Sequence, residues 1–141
     1  MNNIHATLIN LQGKGILLLG KSGSGKSDLA LRLITERGAT LVSDDRVILS
    51  TKDGFLYGES PDNISGKLEV RGVGICDFDY MKKSRIDLCV ELCLSRDYIE
   101  RIPQEENINF LGISLTKLKI YPFDCSTICK IIIKASNIVL N

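Results

Sequence analysis

The apolar positions near the start of the chain predict a β-hairpin. Residues 6–11 and 16–19 are mostly apolar, as expected for strands that contact a core. Between them, residues 12–15 read Gln-Gly-Lys-Gly, and these glycines can supply the positive φ angles of a tight turn. The two strands should therefore pair antiparallel, which indicates that any larger sheet built around them is mixed.

A helix and a second buried strand are predicted to follow the hairpin. Between residues 27 and 37 apolar side chains recur at helical spacing, and Gly38 suits the left-handed conformation that ends many helices. Residues 40–43 form the next apolar run. Because a strand–helix–strand crossover is right-handed, the carboxyl ends of its two strands should lie close together. The apolar helix positions are Leu29, Ala30, Leu33 and Ile34.

A strict alternation marks residues 86–94. Every second residue from Ile86 to Leu94 is apolar and shares one face of a predicted strand. The opposite face carries acids and thiols, which predicts a strand with one buried side, at an edge or a one-sided position of the sheet. The residues of that second face are Asp87, Cys89, Glu91 and Cys93.

The last third of the chain predicts two short strands and a closing helix. The strands fall at residues 108–111 and 118–121. From Cys125 onward apolar residues recur at i, i+3, i+4 and i+7, with Asp124 or Ser126 available as the N-terminal cap. Strands and helices interspersed in this way indicate an α/β fold with a mixed sheet.

Composition limits the class of protein. A chain of 141 residues has the size of one domain, so residues 1–141 are predicted to form a single unit. The formal net charge is +1 and charged residues make up 25%, which gives no basic surface for nucleic acid. No apolar run approaches a membrane span, and the first residues do not resemble a signal peptide. We therefore expect a cytoplasmic protein that contacts neither membrane nor nucleic acid.

The five cysteines do not suggest a disulfide framework or a zinc site. Cys89 and Cys93 would lie about 13 Å apart along a strand, too far for one metal ion to bind both. Cys125 and Cys129 can approach each other on a helix, but no second pair of ligands is nearby in sequence. The expectation is that the thiols act as small apolar side chains.

Residues 20–27 carry the clearest chemical signal. They read GKSGSGKS and fit the phosphate-binding pattern G-x-x-x-x-G-K-[ST], between a predicted strand and a predicted helix. In such a loop the backbone N–H groups and the helix N-terminus surround phosphate oxygens. The lysine reaches the outer phosphates and the final hydroxyl contacts Mg²⁺. The residues predicted to bind ATP are Gly20, Lys21, Ser22, Gly23, Ser24, Gly25, Lys26 and Ser27.

Acidic residues stand at two further positions of interest. Asp44 and Asp45 directly follow the strand at 40–43, so at least one of them can face the metal and the γ-phosphate. The alternative is an ordinary turn at a strand end. Glu69 and Arg71 interrupt a strand-like run, where the residues alone leave open a functional site or a solvated face.

Three segments together resemble the catalytic domain of HPr kinase/phosphorylase. They are His-Ala-Thr-Leu at 5–8, the loop at 20–27 with Leu-Val-Ser-Asp-Asp-Arg-Val at 41–47, and Glu-Val-Arg-Gly-Val-Gly-Ile-Cys-Asp at 69–77. The third segment is close to the family's signature and is much more specific than a phosphate loop alone. The resemblance covers about residues 5–105. The chain is similar to the short form of the family, which consists of the catalytic domain alone.

This resemblance implies an ATP-dependent kinase that phosphorylates a serine of HPr, the small phosphocarrier of the bacterial sugar phosphotransferase system. Many members also catalyse the reverse reaction, in which inorganic phosphate removes the phosphoryl group and pyrophosphate is released. The implied fold is similar to that of phosphoenolpyruvate carboxykinase. The family assembles as hexamers, so the resemblance also implies a homo-oligomer.

The resemblance assigns roles to individual residues. Ser27 and Glu69 would hold Mg²⁺ beside ATP in the loop. Asp45, the second aspartate of its pair, would take the proton from the attacking serine hydroxyl. Arg101 matches a family arginine in a similar sequence context. The catalytic residues implied in this way, together with the loop lysine, are His5, Lys26, Asp45 and Arg101.

The chain departs from the family pattern in two places. Asp28 stands where the family usually has glutamate. Long members carry Pro-Val-[Arg/Lys]-x-Gly-Arg-Asn before the last helix, a segment linked to dephosphorylation, whereas residues 121–127 read Tyr-Pro-Phe-Asp-Cys-Ser-Thr. Without those cations, binding of a phosphoserine should be weaker. We therefore expect kinase activity to exceed phosphorylase activity.

Two other functions fit the phosphate loop. A small-molecule kinase would use an arginine-bearing lid, for which the only candidate is residues 96–107 with Arg96 and Arg101. A regulatory module would bind the nucleotide without turnover. A small-molecule kinase would phosphorylate a metabolite and not HPr. A regulatory module would bind ATP but form no product.

Overall fold

The computed structural model describes residues 2–136, so Met1 and residues 137–141 at the ends of the predicted domain lie outside the described residues. The described residues form an α/β fold with many strands and two α-helices. In chain order the elements are β1 (Asn3–His5), β2 (Thr7–Leu11), β3 (Lys14–Leu19), α1 (Lys26–Arg37), β4 (Thr40–Ser43), β5 (Arg46–Lys52), β6 (Phe55–Glu59), β7 (Lys67–Val70), β8 (Gly74–Asp77), β9 (Lys83–Arg85), β10 (Leu88–Leu92), β11 (Glu106–Phe110), β12 (Ile113–Ile120) and α2 (Thr127–Ala135).

The largest sheet is mixed, as the hairpin at the start of the chain predicts. Its order is β11-β12-β10-β3-β2-β4. Strands β3, β10 and β12 are parallel, whereas β2 and β11 run antiparallel to their neighbours. The crossover through α1 leads from β3 to β4, which lies on the far side of β2. Because β2 is antiparallel to both, β3 and β4 point the same way and their carboxyl ends share one edge of the sheet.

Two smaller sheets accompany the mixed sheet. Strands β1, β5, β6 and β9 form an antiparallel sheet in the order β1-β5-β6-β9. Strands β7 and β8 form a separate hairpin. Short 3-10 turns at Asp62–Ile64 and Arg96–Tyr98 lie in the connections.

The mixed sheet is covered on both faces. One core cluster joins it to the two helices through Leu29, Leu33, Ile128 and Ile131. A second cluster joins its other face to the antiparallel sheet. Side chains alternate along a strand, so neighbouring residues of β3 enter different clusters. The second cluster includes Leu8, Leu17, Val47, Leu56, Ile86 and Cys89.

The prediction of an edge or one-sided strand at residues 86–94 is wrong. Strand β10 is central, paired in parallel with β3 on one side and β12 on the other. Cys89 is fully buried, and burial raises the pKa of its thiol to about 12. A thiol behaves as a small apolar group, so a face with alternating cysteines can be buried as completely as one with leucines. Leu94 lies beyond the strand and is exposed.

The first turn also differs in detail from its prediction. Gln12 and Gly13 carry the positive φ angles of the β2–β3 turn, whereas Gly15 lies inside β3. A Cβ atom at Gly15 would lie 1.8 Å from the carbonyl oxygen of Arg85. Gly15 is therefore required by the close approach of another backbone segment, and not by the turn.

The final third of the chain is more regular than its pattern predicts. The two predicted short strands are β11 and the longer β12, which form a hairpin through a Leu111-Gly112 turn with positive φ. Helix α2 is confirmed, and Ile128 and Ile131 face the core. Ser126 occupies its N-cap position without a side-chain hydrogen bond.

No helix within residues 2–136 is long and apolar enough to cross a membrane.

Candidate active site

The glycine-rich loop connects β3 to α1 at the carboxyl edge of the mixed sheet. Gly23 and Gly25 have φ angles of 80° and 103°, and Gly25 is the N-cap residue of α1. Gly20 plays a different part, because its φ is not positive but a Cβ atom there would lie 2.4 Å from Ser24 Oγ. The loop therefore depends on glycine for backbone angles at two positions and for close contact at a third.

Lys26 is folded back against its own loop. Its Nζ donates hydrogen bonds to the carbonyl oxygens of Gly20 at 2.8 Å and Lys21 at 3.1 Å. The residue is buried, and this burial lowers the pKa of the ammonium group, while the nearby carboxylates of Asp44 and Asp45 act in the opposite direction. The cation is thus held at the loop before any anion binds.

The hydroxyl of Ser24 is buried within the loop without a partner. Ser24 is only 3% exposed, and its Oγ has no hydrogen-bond partner. A buried hydroxyl without a partner is costly, so such groups usually serve a ligand or a mechanism. Together with the amides at the start of α1, this donor matches the oxygens of a phosphate group.

Asp44 connects the loop to the end of β4. Its Oδ1 accepts hydrogen bonds from Ser27 Oγ and from Thr7 Oγ1, each at 2.8 Å. Asp44 and Thr7 are both buried. The sequence marked the aspartate pair, but the family resemblance assigned a role only to Asp45, and it assigned none to Thr7, although Thr7 lies in one of the matching segments. A threonine facing a carboxylate across paired strands leaves no signal of its own.

Asp45, the next residue after Asp44, contacts His5. The two side chains are joined by a hydrogen bond of 2.9 Å between His5 Nε2 and Asp45 Oδ1. The Asp45 side chain is 69% exposed and that of His5 39%. Asp45 has a φ of 74°, a left-handed conformation that turns the chain from β4 into β5. The backbone therefore separates the two aspartates, so that Asp44 contacts the loop and Asp45 faces solvent.

Glu69 and Arg101 are not joined to this cluster. Glu69 is an exposed residue of β7, whose neighbour Leu68 packs into the same core as α1. Arg101 is exposed in the connection between β10 and β11. Within residues 2–136, neither side chain forms a hydrogen bond or an ion pair. Of the predicted site residues, the structure brings together His5, Lys26, Ser27 and Asp45. Glu69 and Arg101 do not contact them.

The described part of the chain contains no cluster of three or more histidine, cysteine or acidic residues that could hold a metal ion. Two oxygen-bearing groups at the loop could bind a metal ion, the Ser27 hydroxyl and the Asp44 carboxylate, and they already contact each other. A hydroxyl and one carboxylate suit Mg²⁺, which usually keeps several waters and takes further oxygens from substrate phosphates.

A strand, a glycine-rich loop and a helix followed by strand-end aspartates are typical of proteins that bind phosphorylated ligands. Comparison with known proteins identifies the family. The chain matches the family model described as "HPr Serine kinase C-terminal domain" over residues 1–140 and belongs to that family.

Individual relatives agree with this assignment. Proteins named HPr kinase/phosphorylase from Caldicellulosiruptor bescii and Clostridium acetobutylicum are 38% and 39% identical to the chain over 127 and 125 residues, covering 82% of it. One from Bordetella pertussis is 38% identical over 126 residues and also covers 82%. The alignments include only 40% to 41% of these relatives, so the chain spans less than half of their length.

A solved structure has the same fold. The Hpr(Ser) kinase/phosphatase from Coxiella burnetii aligns with a TM-score of 0.84 and covers 96% of each chain, at 23% sequence identity. The mixed sheet and its two helices are therefore a fold shared with that protein.

Proposed function

We propose that this chain is an ATP-dependent protein kinase that transfers the γ-phosphoryl group to a serine hydroxyl of an HPr-like phosphocarrier protein. The observation that carries the proposal is the junction at the end of β4. There one aspartate bonds the last hydroxyl of the glycine-rich loop, and the next aspartate is exposed and bonds a histidine. Membership in the HPr serine kinase family supports the nature of the acceptor.

The loop would bind the phosphates of ATP. The unpaired hydroxyl of Ser24 and the amides at the start of α1 can donate to phosphate oxygens. Lys26 would exchange its two carbonyl partners for phosphate oxygens. Its ammonium group would then stay hydrogen-bonded when ATP binds. Phosphoryl transfer requires mainly alignment and charge neutralisation, which these donors provide.

Ser27 and Asp44 fit a role in holding Mg²⁺, and Glu69 is the third candidate. When bound, the metal would offset the negative charge of the phosphates. Ser27 Oγ and Thr7 Oγ1 both donate to Asp44 Oδ1, and these two hydrogen bonds hold the carboxylate beside the last residue of the loop. Glu69 would have to approach from β7, which packs near α1.

Asp45 would act as the general base for the acceptor serine. An alcohol is a weak nucleophile, so a carboxylate within hydrogen-bond reach assists removal of its proton. Asp45 is exposed enough for a protein substrate to reach it, and His5 holds the carboxylate by its Oδ1. The free Oδ2 would then accept the serine proton. Arg101 remains a proposed contact to the transferring group.

Three further features belong to the same proposal. Residues 20–27 would act as a P-loop within a fold of the phosphoenolpyruvate carboxykinase type, and the chain would form a single catalytic unit. The chain would also assemble into the homo-oligomer, a hexamer, that the family resemblance implies.

The proposal is tested by transfer of ³²P from labelled ATP in the presence of Mg²⁺. Purified HPr and a panel of small alcohols, including nucleosides and polyhydroxylated carboxylic acids, are tested as acceptors. We expect label on a serine of HPr and none on the small molecules. Label on a metabolite alone would establish the small-molecule kinase, and ATP binding with no labelled product would establish the regulatory module.

The direction of catalysis provides a second prediction. Residues 121–127 contain no basic residue, and the guanidinium that lies on this segment, that of Arg96, is already paired with Asp124, whose pKa it lowers. A phosphorylated protein should therefore bind less well than the unmodified one. We expect pyrophosphate release from phosphoserine-HPr to be at least about tenfold slower than phosphorylation by ATP. Equal rates in the two directions, measured on the same enzyme preparation, would contradict this prediction.

A further inference from the structure

The segment that precedes α2 packs directly against the glycine-rich loop. We refer to residues 121–124 as the aromatic segment. A Cβ atom at Gly25 would lie 3.0 Å from Cζ and 3.3 Å from Cε1 of Phe123, and 3.8 Å from Cβ of Pro122. Gly25 is the residue immediately before Lys26 and the N-cap of α1. The ring of Phe123 therefore touches the loop at the point where α1 begins.

The aromatic segment is held in place by contacts on both sides. Arg32 of α1 donates a hydrogen bond of 2.5 Å to the carbonyl oxygen of Pro122. Thr127 donates to the carbonyl oxygen of Tyr121 at 2.8 Å. Arg96 lies 4.4 Å above the ring of Tyr121 and forms an ion pair with Asp124 at 2.6 Å. These contacts fix the backbone of the segment before any ligand arrives.

The ring of Phe123 itself is left without a stacking partner. Phe123 is 57% exposed, although it sits between a packed loop and a well-anchored segment. Within residues 2–136, Tyr121 is the aromatic ring that it meets, and that contact is edge-on, with centroids 5.6 Å apart and planes at 81°. Exposing an apolar ring at a fixed position costs free energy that a ligand with a flat surface can recover.

We propose that Phe123 is the platform on which the base of the nucleotide stacks. This inference rests on the proposed binding of ATP at the glycine-rich loop. Phe123 is an exposed ring that contacts the loop at Gly25, so it offers a flat apolar surface beside the phosphates that the loop would hold. Aromatic side chains bind bases by stacking, independently of the base identity. Tyr121 supports the edge of the ring, so the platform is preorganised.

The experiment compares two ligands that differ in the base. Calorimetric titrations with ATP and with inorganic tripolyphosphate, both with Mg²⁺, are carried out on the wild type and on Phe123→Leu. Leucine retains an apolar contact with Gly25 but removes the ring. We expect the Kd for ATP to rise about tenfold, as for loss of one base–aromatic stack, while the Kd for tripolyphosphate stays the same.

Matched variants separate stacking from general effects. Phe123→Trp retains a ring and should retain the affinity for ATP. Phe55→Ala removes another exposed phenylalanine, at the β5–β6 turn, and should leave both affinities unchanged.

Several outcomes would overturn the inference. An equal loss for both ligands would mean that Phe123 shapes the loop and does not contact the base. No change in the Kd for either ligand would mean that Phe123 does not contact the nucleotide. If the wild type bound neither ATP nor tripolyphosphate, the proposed function would fail with it. Tripolyphosphate binding with no effect of Phe123→Leu on ATP would reject this inference alone.

Discussion

Replacing Asp45 with asparagine is expected to lower the rate of phosphoryl transfer by about a hundredfold or more while ATP affinity stays nearly unchanged. Asparagine cannot accept the proton of the attacking serine. The Asp45 side chain is exposed and bonds His5, whereas the buried Asp44 contacts the loop hydroxyl. Loss of the Asp45 carboxylate should therefore affect the chemical step and not nucleotide binding. Single-turnover phosphorylation of HPr and calorimetric titration with ATP measure the two effects separately.

Asp53→Asn is the matched control for this substitution. Asp53 is also exposed and also has a positive φ, 53° compared with 74° at Asp45, but it lies in the β5–β6 turn. Asparagine tolerates the left-handed conformation as aspartate does, so neither change should strain the backbone. The control should retain full turnover. A wild type that binds ATP but forms no product, or an Asp45→Asn enzyme with normal turnover, would exclude the proposed role of Asp45.

The sequence predicted those parts of the fold that depend on local pattern. The helix Lys26–Arg37, its left-handed Gly38 and the β2–β3 hairpin are confirmed, because each follows from spacing or turn residues within a few positions. The position of the loop at the carboxyl edge of the sheet also followed, since the crossover rule is independent of which strands lie between β3 and β4.

The features that the sequence did not reveal depend on pairing between distant segments. Strand β10 is central because β12, which is later in the chain, pairs with its outer side. An alternating pattern cannot distinguish such a strand from an edge strand when the second face carries thiols. The contact between Thr7 and Asp44 requires β2 and β4 to be neighbours, which is a property of the sheet order. For the same reason the packing of Phe123 on Gly25 could not be predicted from spacing.

Substitution of Gly15 by alanine is expected to destabilise the protein by about 3 kcal/mol or more, which is a large share of the stability of a typical domain. The added Cβ would lie 1.8 Å from the carbonyl oxygen and 2.8 Å from the carbonyl carbon of Arg85, both of which are backbone atoms. The N–H of Gly15 also donates to Asp87 Oδ2 at 2.9 Å, and its carbonyl oxygen accepts from the N–H of Asp87. Strand β3 would have to move away from Arg85 at the end of β9, and β3 leads directly into the glycine-rich loop.

Gly13→Ala separates this steric effect from backbone strain in the same hairpin. Gly13 has a φ of 89°, but a Cβ atom added there would meet no atom within 4 Å beyond its chain neighbours, so alanine should cost only about 1 kcal/mol. Urea unfolding followed by circular dichroism measures both values against the wild type. Should the two variants lose equal stability, the close approach of Arg85 to β3 would not be what requires glycine at position 15. A larger loss at Gly15, together with weaker tripolyphosphate binding, would show that the position of β3 determines the geometry of the loop that follows it.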